Sequence, residues 1–114
     1  MALSSKRSWI DELLAWPGVT RHPHRFGGIE LRFDGREIGH LHGERLADLL
    51  FPKPVRDRLL AEGRAKPHHI VPDSGWVSFY IDSEEDIVQA VELFRLKYDL
   101  MTAKRNERSA GEET

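Results

Sequence analysis

The fold is decided by residues 29–40, which read IELRFDGREIGH. Two segments of alternating apolar and polar residues flank Asp34-Gly35, a dipeptide that suits the positive φ angles of a two-residue hairpin turn. A tight turn fixes the register of the strands it joins. The pairs predicted by a regular ladder are Phe33 with Arg36, Arg32 with Glu37, Leu31 with Ile38 and Ile29 with His40. His40 then lies on the apolar face, which must meet the core.

The patterns on both sides of this hairpin predict further helices and strands. A capping box begins a helix at Ser8 and another at Ser83, and Pro23 restricts its own segment to an edge strand. We expect helices over 9–16, 44–50, 54–62 and 84–101, and further strands over 19–26, 68–71 and 76–81. Hairpin-joined strands favour an antiparallel sheet, so the fold class is α+β: a two-layer domain with about five strands and helices packed on one face.

Length and composition limit the protein's organisation and location. A chain of 114 residues fits one hydrophobic core. We expect a single domain over 1–102 and a flexible C-terminal tail over 103–114, where the apolar periodicity ends. The absence of cysteine excludes disulfides and thiolate sites, and the longest apolar run, residues 13–16, is too short for a membrane span. We therefore expect a cytoplasmic protein with no membrane partner.

Histidines supply the main candidate site. The six histidines include His22-x-His24, His40-x-His42 and His68-His69, and residues two apart on a strand point to the same side. We expect at least one histidine of the second pair and one of the third to lie close together in a shared pocket with Arg36 or Trp76. The candidate ligand-binding residues are Arg36, His40, His42, His68, His69 and Trp76. The alternatives are half-buried histidines that are hydrogen-bonded within the core, or a metal site.

The sequence carries no nucleophile elbow, phosphate-binding loop or dinucleotide-binding fingerprint. We therefore assign no catalytic residue, metal ligand or cofactor, and favour a protein that is not an enzyme. Arginines are concentrated in residues 19–69, and aromatic residues such as Tyr80 could stack on bases, so nucleic-acid binding is an alternative. The sequence pI of about 6.3 disfavours it.

The chain also resembles a known family. The residues that carry the resemblance are the run 35–42 (GREIGHLH), Arg56, Gly63, His68-His69 and Ser74-Gly75-Trp76. They resemble the luciferase-domain family of small bacterial and fungal proteins, and the resemblance covers residues 13–100. They do not resemble the flavin-dependent bacterial luciferases or the firefly enzyme. Our leading hypothesis is a bacterial member of this family that acts as a non-catalytic binding or interaction module, with a possible small anionic ligand or protein partner.

A second resemblance concerns the C-terminal half. The succession of strand, Trp76, strand and helix through Tyr98 is similar to MmcQ/YjbR-like proteins. That resemblance implies a two-layer α+β fold and a nucleic-acid-associated role.

A third alternative for the function is a small enzyme or metal-binding protein that uses a histidine cluster.

Overall fold

The computed structural model describes residues 9–24 and 27–113, with side chains as far as residue 106. Its helices are α1 (Trp9–Leu14), α2 (Lys53–Ala61) and α3 (Glu84–Glu113). Its strands are β1 (Val19–Pro23), β2 (Ile29–Phe33), β3 (Arg36–His42), β4 (Leu46–Leu50), β5 (Lys66–Pro67) and β6 (Trp76–Tyr80). They form one antiparallel sheet in the order β1-β2-β3-β4-β6-β5. The predicted α+β class is confirmed, and the described part of the chain has six strands.

The central hairpin turns at the predicted residues but continues in a different register. Asp34 and Gly35 have φ angles of 55° and 80°, and the two pairs nearest the turn form as predicted. Beyond them the register shifts, so that Gly39 lies opposite Leu31 and His40 lies opposite Glu30. The predicted pairs Leu31 with Ile38 and Ile29 with His40 are wrong, because β3 contains one extra residue in a β-bulge. The bulge moves His40 to the face of the sheet opposite the core.

Residues 46–50 form strand β4, so the predicted helix over 44–50 is wrong. The segment lies between β3 and β6 and forms ladders with both, and Ala47, Asp48 and Leu49 are buried. Backbone pairing on both sides outweighs the helical preference of Leu and Ala, since propensity is a weak prior against tertiary context.

The segment after β5 turns instead of forming the predicted strand over 68–71. The backbone amides of Ile70 and Val71 both donate to Nδ1 of His68, at 3.1 and 3.2 Å. This side-chain acceptor takes the place of a strand partner. The loop is also tied to α2, because Arg56 donates to the carbonyl of Pro72.

The ends of the chain differ in part from the predicted boundaries. Helix α3 begins after Ser83, whose Oγ accepts the amide of Asp86 at 3.1 Å, as the capping box predicts. Its backbone is helical through Glu113, well past residue 101, and the flexibility of the tail over 103–114 stays a prediction. Strand β1 is an edge strand, as predicted, while Ser8 and Phe26 lie outside the described residues.

The two faces of the sheet have different roles. Buried apolar side chains such as Leu41, Leu49 and Val77 lie on one face, and α3 packs against β3 and β4. Gly39 permits this close approach, because a Cβ there would lie 3.1 Å from the ring of Phe94. On the other face, polar side chains occupy matching positions on three neighbouring strands. They are His40, Asp48 and Ser78, which are paired across β3, β4 and β6.

Within the described residues, no helix combines the length and apolar character needed to cross a membrane.

Candidate functional site

The carboxylate of Asp48 is the centre of the site. Its side chain has no solvent exposure, and its Oδ1 accepts a hydrogen bond from Ser78 Oγ at 2.6 Å. Four imidazole Nε2 atoms surround the other oxygen, Oδ2. The distances to Oδ2 are 3.2 Å for His40, 3.1 Å for His42, 3.5 Å for His68 and 3.2 Å for His69.

The sheet brings these groups together from separated parts of the sequence. His40 and His42 alternate along β3 and point to the same side, and His40 lies directly opposite Asp48 of β4. His68 and His69 follow β5 in the chain. This strand pairs with β6, which lies on the side of β4 away from β3. The structure therefore places both predicted histidine pairs around one carboxylate, with the rings of His42 and His69 6.1 Å apart. Ligand binding by them stays a prediction.

A second layer of hydrogen bonds fixes the rings. His40 donates from Nδ1 to Oε2 of Glu37 at 2.7 Å, so its Nε2 alone faces Asp48. The bulge in β3 places Glu37 on the same side as His40 despite their separation of three residues. Nδ1 of His68 instead accepts two backbone amide protons, which means that the neutral ring carries its own proton on Nε2.

The protonation of the cluster follows from its two carboxylates. Burial of His40 opposes its charged form, but hydrogen bonds to Asp48 and Glu37 outweigh that cost and raise the pKa of His40 to about 9. Burial likewise opposes ionisation of Asp48, yet hydrogen bonds from His40, Ser78 and His69 hold its pKa well below its usual range. Burial lowers the pKa of His68 and favours the neutral ring. Without other ligands, the site holds a buried His40–Asp48 ion pair.

Oδ2 of Asp48 has more neighbours than hydrogen bonding can satisfy. A carboxylate oxygen offers about two lone-pair sites, whereas four Nε2 atoms lie within 3.5 Å of it. Two of the four nitrogens can donate a hydrogen bond to Oδ2. The other two lie close to this oxygen although no lone pair on it is left for them. A cation shared by the oxygen and some of the imidazoles would resolve this crowding.

The distances fit such a cation. Two ligand atoms about 2.1 Å from a metal ion are about 3.0 Å apart at right angles and about 3.4 Å apart at a tetrahedral angle. The separations of Oδ2 from Nε2 of His40 and His42 are 3.2 and 3.1 Å. One ligand atom from each of His40, His42 and Asp48 lies within 4.8 Å of the others, and the same holds for Asp48, His68 and His69. Asp48 thus belongs to two triads of potential metal ligands.

Trp76 and Arg36, the remaining predicted site residues, have different positions. The ring of Trp76 lies 5.2 Å from that of His40 and 6.1 Å from that of His68, so it borders the cluster. Arg36 is exposed at the turn of the hairpin, where it lines a cleft with Phe33 and Met101 of α3. His40 is four positions further along the extended strand, roughly 13 Å away. The structure does not bring Arg36 to the cluster.

The first histidine pair divides between the site and its surroundings. His24 stacks on His40, with ring centroids 4.1 Å apart, whereas Nε2 of His22 lies 2.8 Å from Oγ1 of Thr20. His24, Glu37 and His40 form another group with ligand atoms within 4.8 Å of one another. His24 therefore belongs to the rim of the site, although sequence reasoning did not include it.

Sequence reasoning also missed Asp48, the residue that organises the cluster. Its segment reads Leu46-Ala47-Asp48-Leu49-Leu50, and the prediction of a helix there concealed its proximity to His40. The available signal was a single carboxylate in an apolar run, since a charge at a buried position is retained only with partners. Ser78 alternates with Trp76 in the predicted strand over 76–81, but its hydrogen bond to Asp48 depends on β4 and β6 being neighbours.

The family model described as the luciferase domain matches residues 35–97, which is more than half of the chain. The chain belongs to the luciferase-domain family. The matched segment contains His40, His42, Asp48, His68 and His69, so the luciferase-domain protein carries this cluster inside the family's region, while His24 at the rim lies outside it. No curated protein and no solved structure matches the chain. The family match is to the luciferase domain and does not support the resemblance to MmcQ/YjbR-like proteins.

Proposed function

We propose that this luciferase-domain protein binds one divalent first-row transition metal through His40, His42 and Asp48. The observation that supports the proposal is the geometry of these three side chains, with Nε2 to Oδ2 distances of 3.2 and 3.1 Å and the outer nitrogen of His40 on Glu37. Two imidazoles and one carboxylate on one face suit iron, manganese, cobalt, nickel or zinc.

The hydrogen bond from His40 to Glu37 favours this triad over the second one. A histidine that ligates a metal usually donates its other ring proton to a carboxylate or carbonyl, which orients the ring and raises its basicity. His68, in the second triad, has the opposite arrangement, because its Nδ1 accepts two amide protons and leaves the proton on Nε2. In our proposal His68 and His69 do not ligate the metal and lie beside Asp48, with their Nε2 atoms 3.5 and 3.2 Å from Oδ2.

Ser78 does not act as a nucleophile in this proposal. Its hydroxyl donates to Oδ1 of Asp48 at 2.6 Å and so fixes the carboxylate, whereas an activated serine would donate to an imidazole. Nucleic-acid binding gains no support from Arg56 and Arg64, each of which lies beside a carboxylate. We therefore propose that the expected binding module binds a metal ion.

Titration with Co²⁺ tests the proposal. Tag-free protein is treated with a chelator, exchanged into buffer and titrated by calorimetry and visible absorption. We expect one Co²⁺ per chain and cobalt d–d bands that are absent from free Co²⁺ in the same buffer. His42→Ala and Asp48→Asn should weaken binding by more than about tenfold, since each removes a direct ligand.

The matched control is His22→Ala, which removes an imidazole outside the cluster and should leave the affinity for Co²⁺ unchanged. Either of two results overturns the proposal: no Co²⁺ binding by the wild-type protein, or equal Co²⁺ affinities for wild type and His42→Ala.

A further inference from the structure

The candidate metal position is open to solvent on the side where His42 and His69 are partly exposed. His42 and His69 each retain 32% exposure of the side chain, while Asp48 is fully buried behind them. Three protein ligands leave one open position on a tetrahedral ion and three on an octahedral one. A metal held by His40, His42 and Asp48 therefore has room for a ligand that enters from solvent.

Charge favours an anionic donor at the open positions. Two neutral imidazoles and one carboxylate leave a divalent ion with a net charge of +1 in its first shell. Glu37 lies behind the His40 ring, on the nitrogen that faces away from the metal. An anionic oxygen donor completes the charge balance of the ion better than water does.

Apolar side chains adjoin this open side. Trp76 is half-buried beside the ring of His40. Leu50 of β4 lies directly opposite Trp76 and is 39% exposed. Ile70 and Val71 follow His69 in the chain and are 73% and 44% exposed. We call Leu50, Ile70, Val71 and Trp76 the apolar rim. These four residues are beside the site by strand pairing or by chain continuity, whereas the part of this sheet face on β2 carries the ion pair of Arg32 with Glu30.

We propose that the metal site takes a small organic anion, whose oxygen donors bind the metal and whose aromatic or aliphatic body lies against Trp76 and the apolar rim. This inference rests on the metal-binding function proposed above and adds the class of ligand. An aromatic body gains most, because a ring that packs on the tryptophan buries apolar area and interacts with the ring face. A bare inorganic anion satisfies the metal but leaves the rim exposed.

The experiment compares two chelating anions that share a metal-binding group and differ in their bodies. Benzohydroxamate and acetohydroxamate are titrated into Co²⁺-loaded protein, and binding is followed by the cobalt bands and by calorimetry. We expect benzohydroxamate to bind at least about tenfold more tightly. Trp76→Ala should reduce this preference to about threefold or less, whereas Trp76→Phe should retain most of it.

The affinities for Co²⁺ and for acetohydroxamate report in each variant whether the site is intact. Val88→Ala is the matched control, because it removes an exposed apolar side chain from α3 and should not change the preference. Equal binding of the two anions by the wild type, or a full preference in Trp76→Ala, overturns the inference and leaves the metal proposal standing. Failure of the wild type to bind Co²⁺ overturns both.

Discussion

At the scale of single residues, Asp48 has the most unusual environment. Its carboxylate has no solvent exposure, and burying an ion without partners costs several kcal/mol. The hydroxyl of Ser78 on Oδ1 and the imidazoles around Oδ2 offset that cost. A chain that needed only stability at this position could carry a valine or leucine, which the rest of β4 already favours. The cluster is therefore better explained by binding than by stability.

The proposed metal site makes Glu37 a positioning residue. We expect Glu37→Ala to weaken Co²⁺ binding by about tenfold to a hundredfold, because His40 loses the acceptor that orients its ring. The measurement is a calorimetric titration of chelator-treated protein. Glu62→Ala removes a carboxylate at the exposed end of α2 and is the control. An affinity in Glu37→Ala equal to that of the control would remove Glu37 from the site.

Without metal, His40 and Asp48 should make stability depend on pH. The pKa of His40 rises from 6.5 in the unfolded chain to about 9, so its contribution is complete below pH 6.5 and is lost as the pH rises through 9. Asp48, whose pKa is lowered from 3.8, contributes above that value and loses its contribution as the pH falls. With a chelator present to remove metal, the free energy of unfolding should be highest between pH 3.8 and 6.5.

The decline above pH 6.5 should reach at most about 3 to 4 kcal/mol, from about 1.4 kcal/mol per pKa unit. Urea unfolding at a series of pH values measures it. Asp48→Asn should flatten this decline, whereas His22→Gln should retain it. A wild-type stability that rises from pH 6.5 to 9 contradicts the assignment of the ion pair.

At the scale of elements, the sequence predicted what local chemistry determines. Asp34-Gly35 determines a turn, and Ser83 caps α3, because both signals act within four residues. The bulge in β3 was missed because Gly39 is an ambiguous signal: a glycine inside a strand marks either a bulge or a close approach of another group, and here Phe94 also approaches it. The strand β4 was missed because its conformation depends on two partners, β3 and β6, that are distant in sequence.

Gly39 allows a prediction about how these elements pack. A Cβ there would lie 2.7 Å from the carbonyl oxygen of Asp48 and 3.1 Å from the ring of Phe94. Gly39→Ala should therefore destabilise the protein by about 1 to 3 kcal/mol, because β4 and α3 must move away from β3. Gly35→Ala, which meets no neighbour but has a φ of 80°, should cost about 1 kcal/mol.

Urea unfolding of both glycine variants tests whether backbone approach or backbone conformation is more restrictive. The Gly39 variant should also bind Co²⁺ more weakly, because the clash is with the backbone of Asp48 itself. Our account of the packing is wrong if Gly35→Ala is the less stable of the two.

At the scale of the whole molecule, the site is a product of sheet order. The two histidine pairs were recognisable in the sequence by their spacing, but their common partner was not, because Asp48 contacts them only once β4 lies between β3 and β6. Arg36 shows the converse error. It is close to His40 in sequence, yet the extended strand carries it to the other end of the hairpin.

Because its ligands come from different strands, the metal should stabilise the fold as a unit. The side chains of His40 and His42 on β3 and Asp48 on β4 join two central strands, so binding favours the native state over the unfolded chain. At a free Co²⁺ concentration about 100 times the dissociation constant, the gain is about 2.7 kcal/mol. For a chain of this length, we expect the melting temperature to rise by about 10 °C.

Thermal unfolding with increasing Co²⁺ measures this rise, and addition of a chelator should reverse it. Mg²⁺ at the same concentration should have little effect, because it prefers oxygen ligands and the triad supplies two imidazoles. His42→Ala should lose most of the Co²⁺ response, while His22→Ala retains it. The imidazole of His42 is partly exposed, so its removal leaves the core of the sheet intact and keeps the comparison fair. Identical shifts in these two variants would mean that Co²⁺ stabilises the protein at some other position.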